Sequence, residues 1–256
     1  MSLTAKLLLS PLLVAQALSM RGRMPRLAEA EGPRCGRIGQ GPRLRLLIVG
    51  DSSAAGVGVA RQQDALAGHL SRAVAAQCNA CVQWQLLARS GVTSAQCLQL
   101  LEADAAITAD IAVVVLGVND VVAQIPSARA VAARTAIANR LRNAHGVAHV
   151  VFAPLPPVHR FPGLPQPLRW VAGADARRHD AAVAQWAAGR DDVSHVPIDL
   201  PLNCGVMAGD GFHPGEPVYR VCGVVLAEHI ATHIWPRLRS AQADAAAAGL
   251  TPVNTR

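Results

Sequence analysis

The sequence has few aromatic residues, few charged residues and no long uninterrupted apolar run. Aromatic side chains make up 3% of its 256 residues, so Leu, Val, Ile and Ala must supply most of the core. Charged residues make up 16% against 51% hydrophobic residues, which excludes intrinsic disorder over most of the chain. No apolar run reaches the ~18 residues of a membrane-spanning helix, which argues against a helical channel or transporter. The length predicts one large domain, or two small ones at most.

Lysine is nearly absent, although the chain is basic. The net charge is +7, and Lys6 is the one lysine among the 24 Lys and Arg residues. The arginines form no dense stripe interleaved with aromatic residues, a pattern that is typical of nucleic-acid-binding proteins. We therefore expect a solvated cationic surface and no nucleic-acid partner.

The cysteines and histidines have no complete metal-ligand spacing. Cys78 and Cys81 form a single C-x-x-C pair, whereas a structural zinc site needs a second pair. This pair ends a helical pattern, so we expect small buried thiols, with a local disulfide as the alternative. His229 and His233 share a helix face but lack a third ligand. We expect no metal, and the chemistry proposed below requires no cofactor.

The first 20 residues differ in composition from the rest. Residues 7–18 are apolar apart from two interruptions. Cations flank this stretch: Lys6, Arg21, Arg23 and Arg26. Three interpretations stay open, namely a cleaved export signal, a membrane-surface anchor through residues 1–26, or a helix packed on the domain. The localisation is accordingly open between cytoplasmic, membrane-associated and exported.

Strand and helix patterns alternate five times over residues 43–236, the predicted domain. Residues 21–42 are rich in Arg, Gly and Pro and predict a linker, and residues 237–256 predict a tail. The predicted strands are residues 44–49, 82–87, 111–116, 147–153 and 193–198. Helical patterns lie between them, with Thr93 and Ser127 as predicted helix caps. This alternation predicts an α/β fold, a three-layer α/β/α sandwich around a five-stranded parallel sheet.

Polar blocks follow four of the predicted strands. They are Gly50-Asp51-Ser52-Ser53, Arg89-Ser90-Gly91, Gly117-Val118-Asn119-Asp120 and Asp210-Gly211-Phe212-His213. Because ligands bind beyond the carboxyl ends of parallel strands, we expect these blocks to meet at one edge of the sheet. A serine, a glycine loop, an amide and an Asp/His pair are the groups that nucleophilic acyl transfer requires.

Each of these residues has a chemical role. The Ser52 hydroxyl needs a base, and His213 is the natural one because neutral imidazole titrates near working pH. Asp210 can accept the Nδ1 proton and fix the tautomer of His213. The developing oxyanion needs donors, which the backbone N–H groups of Ser52 and Gly91 and the side chain of Asn119 can supply. We predict Ser52, Asp210 and His213 as catalytic and Ser52, Gly91 and Asn119 as an oxyanion hole.

In this order, the four blocks resemble the SGNH (GDSL-type) hydrolase family, over residues 44–234. The resemblance implies a flavodoxin-like α/β/α sandwich and hydrolysis of esters or thioesters through an acyl-serine intermediate. It also implies a small-molecule or lipid ester as substrate. Ser53 departs from the commoner Leu or Ile of the family and places a second hydroxyl beside Ser52.

A Pro-rich segment, residues 154–170, is long for a connection inside a compact domain. We expect it to overhang Ser52, with Phe161, Leu164 and Trp170 as an apolar wall for an acyl chain. A rigid surface loop is the alternative. The wall predicts faster cleavage of medium-chain esters than of acetyl esters.

Three functions are compatible with these patterns. The first, which the intact motifs favour, is a serine esterase or lipase-like hydrolase. The second is an acyltransferase that uses the same site, with an alcohol in place of water. The third is a non-catalytic module that binds acidic polymers or a membrane surface through its positive charge.

Overall fold

The computed structural model of the chain describes residues 3–23, 25–104, 107–200, 202–203 and 205–247. Helices lie on both sides of one central sheet. The strands are β1 (Cys35–Ile38), β2 (Arg43–Gly50), β3 (Cys81–Ala88), β4 (Ile111–Val115), β5 (His149–Phe152) and β6 (Val193–His195). The helices are α1 (Leu3–Arg23), α2 (Leu66–Cys78), α3 (Ser94–Ala103), α4 (Val118–Val122), α5 (Ser127–His145), α6 (Leu168–Ala188), α7 (Glu216–His229) and α8 (Trp235–Ala247).

The sheet has the order β1-β3-β2-β4-β5-β6, and every pairing except that of β1 is parallel. The predicted α/β/α sandwich is confirmed, but the predicted count of five strands is corrected to six. The sixth strand, β1, pairs antiparallel with β3 inside residues 21–42, the predicted linker. Its four residues are mostly exposed and give no buried apolar run, so no strand pattern was visible there.

Alternate residues of the central strands face the two helical layers. Leu46 and Ile48 of β2 join the core beneath α2 and α7, whereas Leu47 and Val49 join the core beneath α3 and α5. All four are almost fully buried. Burial on both faces explains the continuous apolar runs of these strands, and their parallel pairing places their carboxyl ends at one edge of the sheet.

The helix boundaries test the predicted caps. The Thr93 hydroxyl accepts the Gln96 N–H at the start of α3, and Gln96 completes the predicted capping box. The predicted Ser127 cap is wrong, because Pro126 occupies the N-cap position and Ser127 already lies in the first turn of α5. Toward the C-terminus, α7 continues through a π-helical turn, Ile230–Ile234, into α8, which extends into the predicted tail.

The N-terminal helix α1 lies against α6. The Gln16 side chain donates to the Gln166 carbonyl at 2.7 Å and accepts from the Leu168 N–H at 3.1 Å. None of the described helices is both long and apolar enough to cross a membrane. The Cys78 and Cys81 thiols are free and buried, as expected.

Candidate functional site

A cavity of about 610 Å³ opens where β2, β3, β4 and β5 end. Ser52, Gly91, Asn119 and His213 all line it, so the structure brings together four of the predicted site residues. They come from loops separated by up to about 160 residues of sequence. The parallel strands place these loops at the same edge of the sheet.

Asp210 holds the imidazole of His213. Its Oδ2 accepts Nδ1 of His213 at 2.6 Å, and its Oδ1 accepts the backbone N–H groups of Phe212 and His213 at 2.9 Å each. Burial raises the pKa of Asp210, but these hydrogen bonds outweigh it and hold the pKa below its ordinary value. An ionised Asp210 keeps the proton of His213 on Nδ1, which leaves Nε2 to act as a base.

The Pro-rich segment supports this histidine loop. The Phe212 ring packs edge-on against Phe161, with centroids 5.3 Å apart, and against the His213 ring at 5.2 Å. The Gly163 N–H donates to the Gly211 carbonyl at 2.9 Å. A side chain at Gly163 would overlap the Asp210 carbonyl, so this close approach requires glycine.

Ser52 occupies the turn that follows β2. The turn is closed by a hydrogen bond from the Val57 N–H to the Ser52 carbonyl at 3.0 Å, and Ser52 itself is half-buried. The Ser52 hydroxyl and the His213 ring share the cavity, but no hydrogen bond joins them in this structure. Hydrogen bonds between a nucleophile and its base often form only when substrate binds. The shared cavity is therefore the feature that relates Ser52 to His213 in the free protein.

Two residues that line the cavity, Ser52 and Gly91, have backbone N–H groups without an acceptor among the described residues. Gly91 has a φ of +80°, in the left-handed region that favours glycine. The Asn119 side-chain amide donates to the Val92 carbonyl at 3.1 Å and approaches Asp51 Oδ2 at 3.4 Å. Because the amide is planar, Asn119 would have to rotate as a whole, and so release its long contact to Asp51, to donate a hydrogen to a ligand.

A buried acidic layer lies beneath these loops. Burial, with a contribution from Asp120, raises the pKa of Asp51 to about 7, although the Ser53 N–H and Arg134 oppose the shift. Asp120 accepts the backbone N–H of Ser94 at 2.9 Å and its hydroxyl at 2.5 Å. Arg134 lies 3.4 Å from Asp120. This layer joins the start of α3 to the loops of Ser52 and Asn119.

Glu29 is a site-supporting residue that the sequence did not reveal. Its Oε1 accepts the Ser90 N–H at 2.7 Å, and its Oε2 pairs with Arg34 at 2.5 Å. Arg34 also donates to the Ala88 carbonyl at 2.7 Å. These bonds tie the Gly91 loop to the N-terminal segment. Glu29 falls in the predicted linker, where no periodicity or motif marks it.

The three predicted pocket residues have different positions. Phe161 lines the cavity, Leu164 is buried in the core cluster that also contains Phe161, and Trp170 is 47% exposed. Among the described residues, neither Leu164 nor Trp170 lines the cavity. Apolar lining comes instead from the last loop and α7, namely Leu200, Leu202, Met207, Val218, Cys222 and Leu226.

The His229 and His233 rings have centroids 4.9 Å apart at the π-helical turn. Within the described ranges, no three His, Cys, Asp or Glu side chains are grouped as metal ligands.

A three-layer sandwich with these residues around one cavity is typical of serine hydrolases. The sequence profile of the GDSL-like lipase/acylhydrolase family matches residues 48–221, and the chain belongs to this family. No curated protein sequence matches the chain significantly.

Solved structures of low sequence identity share the fold. The lipase Lip_vut3 from a goat rumen metagenome is 17% identical, with a TM-score of 0.57 over 74% of this chain and 98% of that one. The esterase EstA from Pseudoalteromonas sp. is 18% identical, with a TM-score of 0.54 over 76% and 98%. A family 3 carbohydrate esterase from Clostridium thermocellum is 15% identical, with a TM-score of 0.56 over 77% and 98%.

Proposed function

We propose that this hydrolase cleaves carboxylic esters, including thioesters, through an acyl-serine intermediate. Ser52 is the nucleophile, His213 the base and Asp210 the residue that orients it. The observation that carries the proposal is the 2.6 Å bond between Asp210 and His213, on a loop that lines the same cavity as Ser52.

The reaction has two halves. The Ser52 hydroxyl attacks the ester carbonyl while Nε2 of His213 takes its proton, and His213 then gives that proton to the leaving alcohol. Water next attacks the acyl-serine with His213 again as base, which releases the acid and restores Ser52. In both halves the oxyanion is stabilised by the N–H groups of Ser52 and Gly91 and by the Asn119 amide.

The lining of the cavity supports an acyl chain as the bound group. Apart from the site residues, most of its lining is apolar, and α7 contributes Val218, Cys222 and Leu226. Removal of an acyl chain from water into such a cavity stabilises the complex by about 0.8 kcal/mol per buried methylene. We therefore expect medium-chain esters to be cleaved faster than acetyl esters.

The test compares p-nitrophenyl esters of increasing chain length and labelling by a fluorophosphonate. Ser52→Ala should lose labelling and up to ~10⁶-fold in turnover, because the residues of such a site act as a unit. The matched variant Ser53→Ala, one residue away, should keep the label. A wild-type protein that takes no label and cleaves no ester contradicts the proposal and favours a binding module. Product analysis with added alcohols separates hydrolysis from acyl transfer.

A further inference from the structure

Helix α1 carries apolar residues all round its axis, and the domain covers only one side of it. Leu9, Leu13 and Ala17 are half-buried on the side toward the domain. Around the rest of the helix, Leu12, Val14 and Leu18 are 48%, 57% and 62% exposed. No charged residue lies between positions 6 and 21. Because a helix with apolar residues all round is normally buried all round, the outer side needs a partner.

The charge around α1 indicates which partner. Residues 1–28 contain four cations and no Asp or Glu. A second copy of the chain would bring two sets of like charges together, which is unfavourable. An anionic lipid surface offers the opposite charge to the cations and an apolar layer to the exposed leucine and valine side chains.

The C-terminal end of α1 leads directly to the cavity. Pro25, Arg26 and Leu27 follow α1 almost directly and line the same cavity as Ser52. Val122, which is 52% exposed, lines it as well. Trp170, 47% exposed, lies two residues from Leu168, the residue that Gln16 of α1 binds. Tryptophan is enriched where proteins meet the headgroup layer of a membrane.

We propose that the exposed surface of α1, which includes Leu12, Val14 and Leu18, docks the protein on an anionic lipid bilayer. The helix lies in the plane of the interface, with the cavity mouth next to the lipid. Lipid esters then reach Ser52 directly from the bilayer. The docking itself goes beyond the proposed function and needs no catalysis, whereas lipid delivery rests on that function.

The experiment measures co-sedimentation of the full chain carrying Ser52→Ala, so that lipid turnover cannot alter the vesicles. Vesicles of phosphatidylcholine with phosphatidylglycerol should bind the protein, pure phosphatidylcholine vesicles should bind it weakly, and added salt should reduce binding. The triple variant L12Q/V14Q/L18Q keeps helix-favouring residues and should bind roughly tenfold or more weakly. Arg23→Gln should weaken binding about fivefold.

Two control variants match these changes elsewhere on the surface. V221Q/V224Q replaces exposed apolar residues of α7, and Arg129→Gln removes an exposed cation of α5; both should bind as the parent does. Equal melting temperatures show that each variant is folded.

Several outcomes would overturn the docking proposal. They are no binding to anionic vesicles, unchanged binding by the triple variant, or a native protein that begins after residue 20. A dimer in light scattering that the triple variant dissociates, without vesicle binding, would assign the surface to a second copy. Vesicle binding by a protein inactive toward all esters would leave docking intact and contradict only the proposed chemistry.

Discussion

The Asp210 carboxylate binds His213 through two different groups of that residue. One oxygen accepts the ring Nδ1 at 2.6 Å, and the other accepts the backbone N–H at 2.9 Å. The same side chain therefore sets both the tautomer of the imidazole and the shape of the loop that carries it. A substitution at Asp210 can separate these two effects.

Asp210→Asn should keep the loop and lose the catalytic tautomer. The amide oxygen can still accept the backbone N–H groups, but an amide NH₂ facing Nδ1 forces the proton to Nε2, where it blocks base catalysis. We expect kcat to fall by roughly 10⁴-fold, as with the equivalent change in other serine hydrolases, while the melting temperature stays nearly constant. Asp210→Ala should lower both. Asp191→Asn, at an exposed position, is the control, and an active Asp210→Asn enzyme would exclude this role.

The sequence predicted the catalytic end of the fold better than its N-terminal part. Continuous apolar strands and the polar blocks after them gave the sandwich and the residues around the cavity. The sequence located the start of α5 less well, because Pro126 and Ser127 are both compatible with the N-cap position. The sequence did not predict strand β1 or the role of Glu29, because both depend on distant contacts. Strand β1 is stabilised by pairing with β3, and Glu29 binds the Ser90 N–H across 61 residues of sequence.

Asp51 should make the stability of the protein depend on pH in an unusual direction. Its pKa rises from 3.8 to about 7 on folding, so the folded state holds a proton that the unfolded state releases. Its contribution is fully present below about pH 4 and is lost as pH rises to about 7. Asp51→Asn, which cannot ionise, should gain roughly a few kcal/mol in unfolding free energy relative to wild type between pH 4 and pH 8.

The measurement is urea unfolding of the wild type and Asp51→Asn at several pH values. Loss of the contact to Asn119 would change the unfolding free energy of the variant by the same amount at every pH. The readout is therefore how the difference in unfolding free energy between the two proteins changes with pH. Asp120 and Arg134 face Asp51 and are unchanged in this comparison. Asp191→Asn should parallel the wild type. If the unfolding free energy of Asp51→Asn also changes with pH as that of the wild type does, Asp51 is ionised in the folded protein across this range.

Asn119→Ala should slow the chemistry without preventing substrate binding. The amide would stabilise charge that exists only in the transition state, so kcat should fall on the order of 10²–10³-fold with little change in KM. Loss of the hydrogen bond to the Val92 carbonyl would lower stability as well, which thermal unfolding measures separately. An equal rise in KM with an unchanged kcat would instead indicate that Asn119 contributes to ground-state binding.

Glu29 should act on catalysis through the Gly91 loop. Glu29→Ala removes the acceptor of the Ser90 N–H and the partner of Arg34, so the Gly91 N–H should lose its fixed position. We expect kcat to fall roughly 10- to 100-fold with a smaller change in KM. Glu29→Gln retains one acceptor and should recover part of the loss. Glu31→Ala, nearby and exposed, should have normal kinetics; a Glu29→Ala enzyme with normal kcat would exclude positioning by Glu29.

Cys222 offers a test of where the acyl chain lies. It lines the cavity from α7, and burial raises the pKa of its thiol to about 12, so it is a small neutral group there. Cys222→Phe fills cavity volume and should shorten the preferred acyl chain. We expect kcat/KM for the octanoyl ester to fall roughly 10- to 100-fold, which corresponds to two or three methylenes displaced at about 0.8 kcal/mol each.

The acetyl ester decides between this effect and general damage. Its two-carbon acyl group does not extend far from Ser52, so its kcat/KM should change little in Cys222→Phe. Val221→Phe, on the exposed side of the same helix, adds the same ring outside the cavity and should leave the chain-length profile unaltered. Overpacking can cost about 1–3 kcal/mol, so melting temperatures accompany the kinetics. Equal losses for both esters would indicate general damage to the site. An unchanged kcat/KM for the octanoyl ester in Cys222→Phe, or a wild type that cleaves only acetyl esters, would place the acyl chain outside this cavity.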